Sequence, residues 1–215
     1  MQASRVCWSN LASSRRWRGV VSFIRDWVGP FNSAHGMAPE ELDEVLRAKS
    51  LSLQTALREW YLLAAGWSQG GLNVWIRPQE LAAADGMICI LTDTEGITEW
   101  GIRAAEPDIE DPPVFFLQKT PEIDFQSFTS FVAAMIINDV IFASATDPVE
   151  LNPGAACAGL TCIISSRVGN FYAEAALDAA PSVVMFAYPG NGPASGKSRT
   201  PAGHALLERF RLIST

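Results

Sequence analysis

The sequence predicts a single α+β domain, with N-terminal helices packed on a central, mainly antiparallel β-sheet, a long buried helix and a short C-terminal helix. Apolar residues recur at helical spacing over residues 17–66. Short β-rich runs follow over residues 72–118, and a nearly continuous apolar run occupies residues 128–142. The 215 residues, 48% of them hydrophobic, suffice for one core. We expect residues 1–16 to be a poorly ordered basic extension and residues 17–215 to form the domain.

Three short helices are predicted before the first strand. The first has apolar residues at i, i+3, i+4 and i+7 and should end near Gly29-Pro30. Pro39 suits the first position of the second helix, because it lacks the N–H that a helix start leaves unpaired. Ser52 is the expected N-cap of the third helix, and Gly66 should end that helix in the left-handed conformation.

Four β-rich runs follow these helices, at residues 72–77, 87–91, 97–104 and 114–118. Residues 93–96, with the sequence Asp-Thr-Glu-Gly, are typical of a hairpin connection. Strands joined by such short connections pair antiparallel, so we predict an antiparallel sheet.

The long apolar run predicts a helix from Phe128 to about Phe142, with Ser127 as its N-cap. Its apolar residues cover nearly the whole helical circumference, which predicts deep burial. The run contains polar residues and is too short to span a bilayer, so no membrane segment is predicted.

The last third of the chain has weaker signals. Residues 160–165 and 182–188 are typical of strands, and residues 171–176 fit either a strand or a helix. A loop is predicted at residues 147–154. Thr200-Pro201 is typical of a helix start, so a terminal helix should begin there.

Charge is unevenly distributed along the chain. Residues 1–36 carry five Arg and one Asp, whereas the remaining residues carry 22 acidic and eleven basic side chains. Such an acidic body repels nucleic acid and attracts basic partners, although acidity also serves solubility. The four cysteines are scattered and do not form a disulfide framework, which favours a reducing, cytoplasmic location.

Residues 190–198 end in the Gly-Lys-Ser that closes a phosphate-binding loop. Such a loop needs a glycine where this chain has Asn191, and its helix must begin at the Gly-Lys pair. The predicted helix begins later, at Thr200-Pro201. We therefore predict a mobile loop at residues 190–197 and no nucleotide cofactor.

Metal and thiol chemistry also lack a motif. Cys157 and Cys162 are separated by four residues, and no second cysteine pair accompanies them. A cysteine nucleophile needs a neighbouring imidazole, and His35 and His204 lie far away in the sequence. We predict no catalytic residue, no metal site and no cofactor.

Four acidic residues lie together just before Pro112-Pro113: Glu106, Asp108, Glu110 and Asp111. Catalytic carboxyl groups need a pKa shifted by burial, whereas a polar loop with neighbouring acids is usually solvated. Such a loop serves either solubility alone or the binding of a basic partner. These four residues are the candidate partner-binding site.

An ordered series of segments resembles a known family. The segments are Leu-Arg-Glu-Trp-Tyr-Leu-Leu-Ala-Ala-Gly at 57–66, Asn-Val-Trp-Ile at 73–76, Thr-Glu-Gly-Ile-Thr-Glu-Trp-Gly-Ile at 94–102, Asp-Pro-Pro-Val at 111–114 and Ser-Phe-Thr-Ser-Phe at 127–131. Together they resemble the SUKH superfamily in its cell-wall-assembly-regulator (Smi/Knr) branch. The match covers roughly residues 17–143. Its tryptophans, Trp60, Trp75 and Trp100, are expected to fill the core.

The resemblance implies protein binding without catalysis. Bacterial members of this family commonly act as immunity proteins that neutralise a toxin, often a nuclease. We therefore expect an immunity protein whose acidic surface occludes a basic toxin domain, with no nucleic-acid or membrane partner. The alternative is a regulatory or signalling adaptor of the cell-wall-regulator type.

Overall fold

The computed structural model describes residues 8–67, 71–142, 148–152, 160–166, 169–173, 177, 181–187, 194–209 and 211. Contacts divide the chain into two compact units. Unit 1 comprises Met1–Arg18 and Pro30–Phe131, and unit 2 comprises Gly19–Gly29 and Val132–Thr215. The α+β class is confirmed by helices and two antiparallel sheets. Among the described residues, no helix has the length and apolar character that a membrane span requires.

The three predicted N-terminal helices are confirmed as α1 (Arg18–Trp27), α2 (Pro39–Ala48) and α3 (Thr55–Ala64). Pro39 occupies the first turn of α2, and Glu40 and Glu41 follow it, where the helix dipole favours negative charge. The chain also has helical residues before α1, at 8–12, and the Trp8 side chain there is buried.

Both predicted caps of α3 are wrong. Gln54, not Ser52, occupies the N-cap position, and its side chain makes no cap hydrogen bond. Gly66 does not adopt a positive φ. Its N–H donates to the carbonyl oxygen of His35 at 2.8 Å, so a contact with the preceding loop replaces the expected left-handed stop.

The first sheet lies in unit 1 and has the strand order β1-β3-β4-β5-β6, with β2 also paired to β3. All its pairs are antiparallel. Its strands are β1 (Asn73–Trp75), β2 (Ala83–Ala84), β3 (Met87–Asp93), β4 (Glu99–Arg103), β5 (Val114–Phe116) and β6 (Glu122–Phe125). The four predicted strands and their antiparallel pairing are confirmed, whereas β2 and β6 were not predicted.

The predicted hairpin between β3 and β4 is confirmed. Gly96 has a φ of 69°, which glycine adopts without strain. The Asp93 carboxylate accepts hydrogen bonds from the N–H groups of Ile97 at 2.9 Å and Thr98 at 3.0 Å. Hydrogen bonding, first from the Thr98 side chain and then from backbone N–H groups, lowers the pKa of the Asp93 carboxyl, because it stabilises the charged form.

Aromatic side chains form the core of unit 1, as predicted for Trp60 and Trp100, which are buried. Trp75, on β1, is half-buried, and its ring centroid lies 5.3 Å from that of Trp60 and 5.9 Å from that of Phe131. The indole N–H of Trp100 donates to the buried Asp124 carboxylate on β6 at 3.0 Å. Strand β6 therefore supplies a polar partner that a buried indole requires.

The long apolar helix is confirmed as α4 (Phe128–Phe142). The Ser127 hydroxyl accepts a hydrogen bond from the N–H of Ser130 at 3.2 Å, as expected of an N-cap. Its apolar residues from Phe128 to Ile141 are buried, which confirms the predicted burial.

Unit 2 contains the second sheet, with the strand order β7-β11-β10-β9-β8 and antiparallel pairing throughout. Its strands are β7 (Val149–Leu151), β8 (Thr161–Ser165), β9 (Asn170–Ala173), β10 (Val183–Ala187) and β11 (Ala194–Ser198). The strands predicted at 160–165 and 182–188 are confirmed over their described residues. Of the ambiguous segment 171–176, residues 171–173 are strand and 174–176 lie outside the described residues.

Two predicted loops are corrected by β7 and β11. Residues 149–151 pair with 194–196, within segments whose composition predicted loops. Gly196 explains in part why a segment with the composition of a loop is a strand. A Cβ at this position would lie 2.8 Å from a Leu207 methyl group. The glycine allows helix α5 (Pro201–Glu208) to approach the strand closely. The Thr200 hydroxyl accepts from the N–H of Gly203 at 3.1 Å, so the predicted start of this helix is confirmed.

Candidate protein-binding site

The candidate site is the loop of residues 104–113 that connects β4 to β5 in unit 1; we call it the acidic loop. Its backbone is held against the start of α3. The buried Gln54 side chain donates to the carbonyl oxygens of Arg103 at 2.8 Å and Glu106 at 3.0 Å. The N–H of Ala56 donates to the carbonyl oxygen of Glu110 at 2.9 Å. These bonds fix the path of the loop at both ends.

Three of the four predicted site residues also contact the same chain through their side chains. The Glu106 carboxylate pairs with Arg103 at 2.8 Å. The Asp111 carboxylate accepts from the N–H of Thr129, in the first turn of α4, at 2.9 Å. Such a contact stabilises a helix start, so Asp111 serves the fold.

The third of these residues, Glu110, pairs with Arg16. Arg16 also contacts the Glu59 carboxylate at 2.5 Å, and Glu59 accepts from the Trp17 indole N–H at 2.8 Å. Glu110 remains largely exposed, whereas Arg16 is not. A basic residue within the predicted extension 1–16 therefore offsets part of the loop's charge.

What remains available on the loop is its tip, formed by Asp108, Ile109 and Glu110. Asp108 is exposed, and its carboxylate makes no hydrogen bond or ion pair with the part of the chain that the structure describes. Ile109 is 39% exposed. An apolar side chain between two carboxylates, on an anchored backbone, suits contact with a protein surface that combines basic and apolar groups.

Sequence reasoning found the acids but missed the residues that hold them, Gln54, Arg16 and Arg103. A buried glutamine at a helix start carries no local signal for its partners. The contacts of Gln54 and Arg16 join positions 43 to 94 residues apart in the chain, so spacing alone cannot predict them, whereas Arg103 lies only three residues before Glu106.

The phosphate-loop candidate takes a different form from the predicted mobile loop. Its residues 190–193 lie outside the described part of the chain, and residues 194–198 form the inner strand β11. Lys197 is 9% exposed and pairs in register with Val184 of β10. A phosphate-binding lysine instead lies at a helix start with its amine free to reach phosphate.

The cysteine and histidine candidates do not converge. Cys157 lies outside the described residues, and Cys162 is exposed on β8. The imidazole of His35 stacks on the Phe31 ring, with centroids 5.2 Å apart. His204 lies 3.6 Å from Glu208 one turn along α5. No group of three or more His, Cys, Asp and Glu side chains within the described ranges is placed to hold a metal ion.

Cys89, on β3, should be a poor nucleophile. Burial, with a smaller effect of the Glu99 charge, raises the pKa of its thiol to about 11. The increase of about two units should lower the thiolate fraction, and the alkylation rate by iodoacetamide near neutral pH, about a hundredfold. Mass spectrometry of the Cys89 peptide, with the same chain in concentrated urea as control, measures this ratio. Equal rates in the two states would refute the prediction.

No protein-family model matches this chain, and comparison with curated proteins and with solved structures gives no match either.

Proposed function

We propose that this chain is a non-enzymatic, cytoplasmic immunity protein that neutralises a toxin by occluding a basic, nuclease-type domain with the acidic loop. The observation that carries the proposal is the anchored loop with its exposed tip at Asp108, Ile109 and Glu110. A surface that is already ordered loses little conformational entropy on binding, which favours affinity.

Charge supports the same partner chemistry. Residues 37–215 carry twice as many acidic as basic side chains, so the chain attracts a basic domain at long range. A nuclease cleft is basic because it binds phosphate, and carboxylates at a loop tip can occupy phosphate positions. The resemblance of residues 17–143 to the SUKH superfamily points in the same direction.

The adjacent gene provides the first test. We expect it to encode a toxin domain with a basic surface, and co-expression of this chain should abolish its toxicity. The purified pair should associate at least about tenfold more slowly when salt is raised from about 50 to about 500 mM, because salt screens the steering charges. Lack of protection by this chain would sink the proposal.

Charge-neutral variants test the loop itself. Asp108→Asn with Glu110→Gln should lower the association rate constant about three- to tenfold, because peripheral charges act mainly on association. Glu41→Gln with Glu44→Gln, at exposed positions of α2, changes the net charge equally and is the matched control. Surface plasmon resonance measures the association rate constants of both double variants. Equal rates for the two double variants would exclude the loop as the binding surface.

The adaptor alternative predicts a different result in the same assays. Several weaker partners should then bind, and an adjacent toxin gene is not expected. Removal of residues 1–16 should disturb function in that case. This deletion also removes Arg16, which pairs with Glu59 and Glu110. The variant Arg16→Gln is therefore the comparison, because it removes these ion pairs and keeps the rest of the segment.

A further inference from the structure

The first sheet carries a groove on its solvent side, separate from the acidic loop. Its volume is about 710 Å³, within the range of about 300–1,000 Å³ that is typical of ligand sites. Met87 and Cys89 of β3 and Leu117 after β5 are half-buried in its lining. Leu117 lies against Gly101, where a Cβ would be 2.8 Å from a Leu117 methyl group. The absence of a side chain at Gly101 therefore keeps this apolar floor in place.

Three acidic residues also line this groove: Glu80, Asp85 and Glu99. All three residues are exposed, so their charges are at the rim. The Glu80 carboxylate is oriented by the N–H of Arg77, which donates to it at 3.2 Å. The charge of Glu99 also acts on the floor, since it contributes to the raised pKa of the Cys89 thiol.

Among the described residues that line the groove, none is Lys or Arg, although Arg77 and Lys119 each follow a lining residue in the sequence. These carboxylates are also not placed as a metal-binding group in the described part of the chain. An apolar floor with a negative rim suits a ligand that is apolar along its length and cationic at its end.

We infer that this groove binds a lysine or arginine side chain that a protein partner presents. The aliphatic part of such a side chain packs on Met87 and Leu117, and its cationic group reaches the carboxylates at the rim. Charge complementarity selects this occupant over a neutral apolar side chain, which would leave the rim charges unpaired. The inference does not depend on toxin neutralisation, because it concerns residues outside the acidic loop.

Small probes test the groove on the full-length chain. Butylguanidinium should shift the methyl resonance of Met87 in a saturable way, with a Kd of about 1 mM, as expected of a fragment that makes few contacts. Butylurea has nearly the same shape without the charge and should bind at least about tenfold more weakly. Equal binding of the two probes, or no saturable shift from butylguanidinium, would overturn the inference.

Variants then locate the binding. Asp85→Asn with Glu99→Gln should weaken butylguanidinium binding at least about fivefold, because two of the three rim charges are removed. Asparagine is suitable at position 85, since Asp85 has a φ of 50° and Asn tolerates that region. The matched control is Asp108→Asn with Glu110→Gln, which should bind butylguanidinium like the unmodified chain. A loss of binding in this control, or none in the groove variant, would contradict the assignment, whereas toxin binding tests the proposed function separately.

Discussion

Replacement of Trp60 by alanine should lower the free energy of unfolding by about 3–5 kcal/mol, the usual cost of removing a large buried aromatic side chain. Trp60 is 1% exposed. Its ring centroid lies 5.5 Å from that of Trp17, 5.3 Å from Trp75 and 6.2 Å from Trp67. The substitution therefore leaves a cavity between three indoles whose positions are set by other elements, and rigid neighbours cannot fill it.

Urea unfolding followed by both circular dichroism and tryptophan fluorescence measures this loss. Coincident transitions are required for a single free energy, because a chain with two compact units need not unfold in one step. Ile97→Ala is the control, since Ile97 is 76% exposed and its loss should cost no more than about 0.5 kcal/mol. A Trp60→Ala loss below about 1 kcal/mol would contradict the packing described for α3.

The helices before the second sheet and the strands of the first sheet were largely predictable because their signals are local. Apolar residues at helical spacing predicted α1 to α3, a nearly continuous apolar run predicted α4, and the Asp93 to Gly96 turn predicted the β3–β4 hairpin. Strand β6 was missed because charged residues alternate with apolar ones in a segment of only four residues. Its Asp124 is buried because it accepts from the distant Trp100 indole, a contact that no local pattern indicates.

The second sheet was harder to predict, because contacts between distant residues also determine one of its inner strands. Residues 194–198 have the composition of a loop, yet they lie between two strands of the second sheet. Small residues are tolerated there because Leu207 of α5 packs directly over Gly196. Such a strand is determined by its neighbours in three dimensions and not by its own β-propensity.

At the candidate site, too, local features were predictable from the sequence and long-range contacts were not. The acids of the loop were visible in the sequence as a cluster, whereas their unequal roles were not. Asp111 contacts the start of α4, Glu110 pairs with Arg16, and Asp108 is exposed. The groove acids Glu80 and Asp85 are separated in the sequence from Glu99, and only the pairing of the strands brings them to one face.

Replacement by alanine should strongly destabilise the protein at Gly36, which packs on α3, and have almost no effect at Gly66, which follows α3. A Cβ at Gly36 would lie 1.9 Å from the carbonyl oxygen of Leu62 on α3. Because that oxygen belongs to the backbone of a buried helix, one of the two segments must move, and Gly36→Ala should cost about 3 kcal/mol, the upper end of the usual range for overpacking. The segment cannot move freely, since the N–H of Met37 donates to the carbonyl oxygen of Tyr61 at 3.2 Å.

Gly66→Ala is the matched comparison and distinguishes the structure from the sequence prediction. A left-handed Gly66 would make alanine destabilising by about 1 kcal/mol or more. In the structure its φ is not positive, and the nearest atom to an added Cβ is the His35 carbonyl oxygen at 3.5 Å. We therefore expect Gly66→Ala to change the free energy of unfolding by no more than about 0.5 kcal/mol, while Gly36→Ala unfolds at much lower urea. Equal effects of the two substitutions would show that the loop before α2 does not pack on α3 as described. The expected difference rests on the close approach of Gly36 to the backbone of α3, which Gly66 does not share.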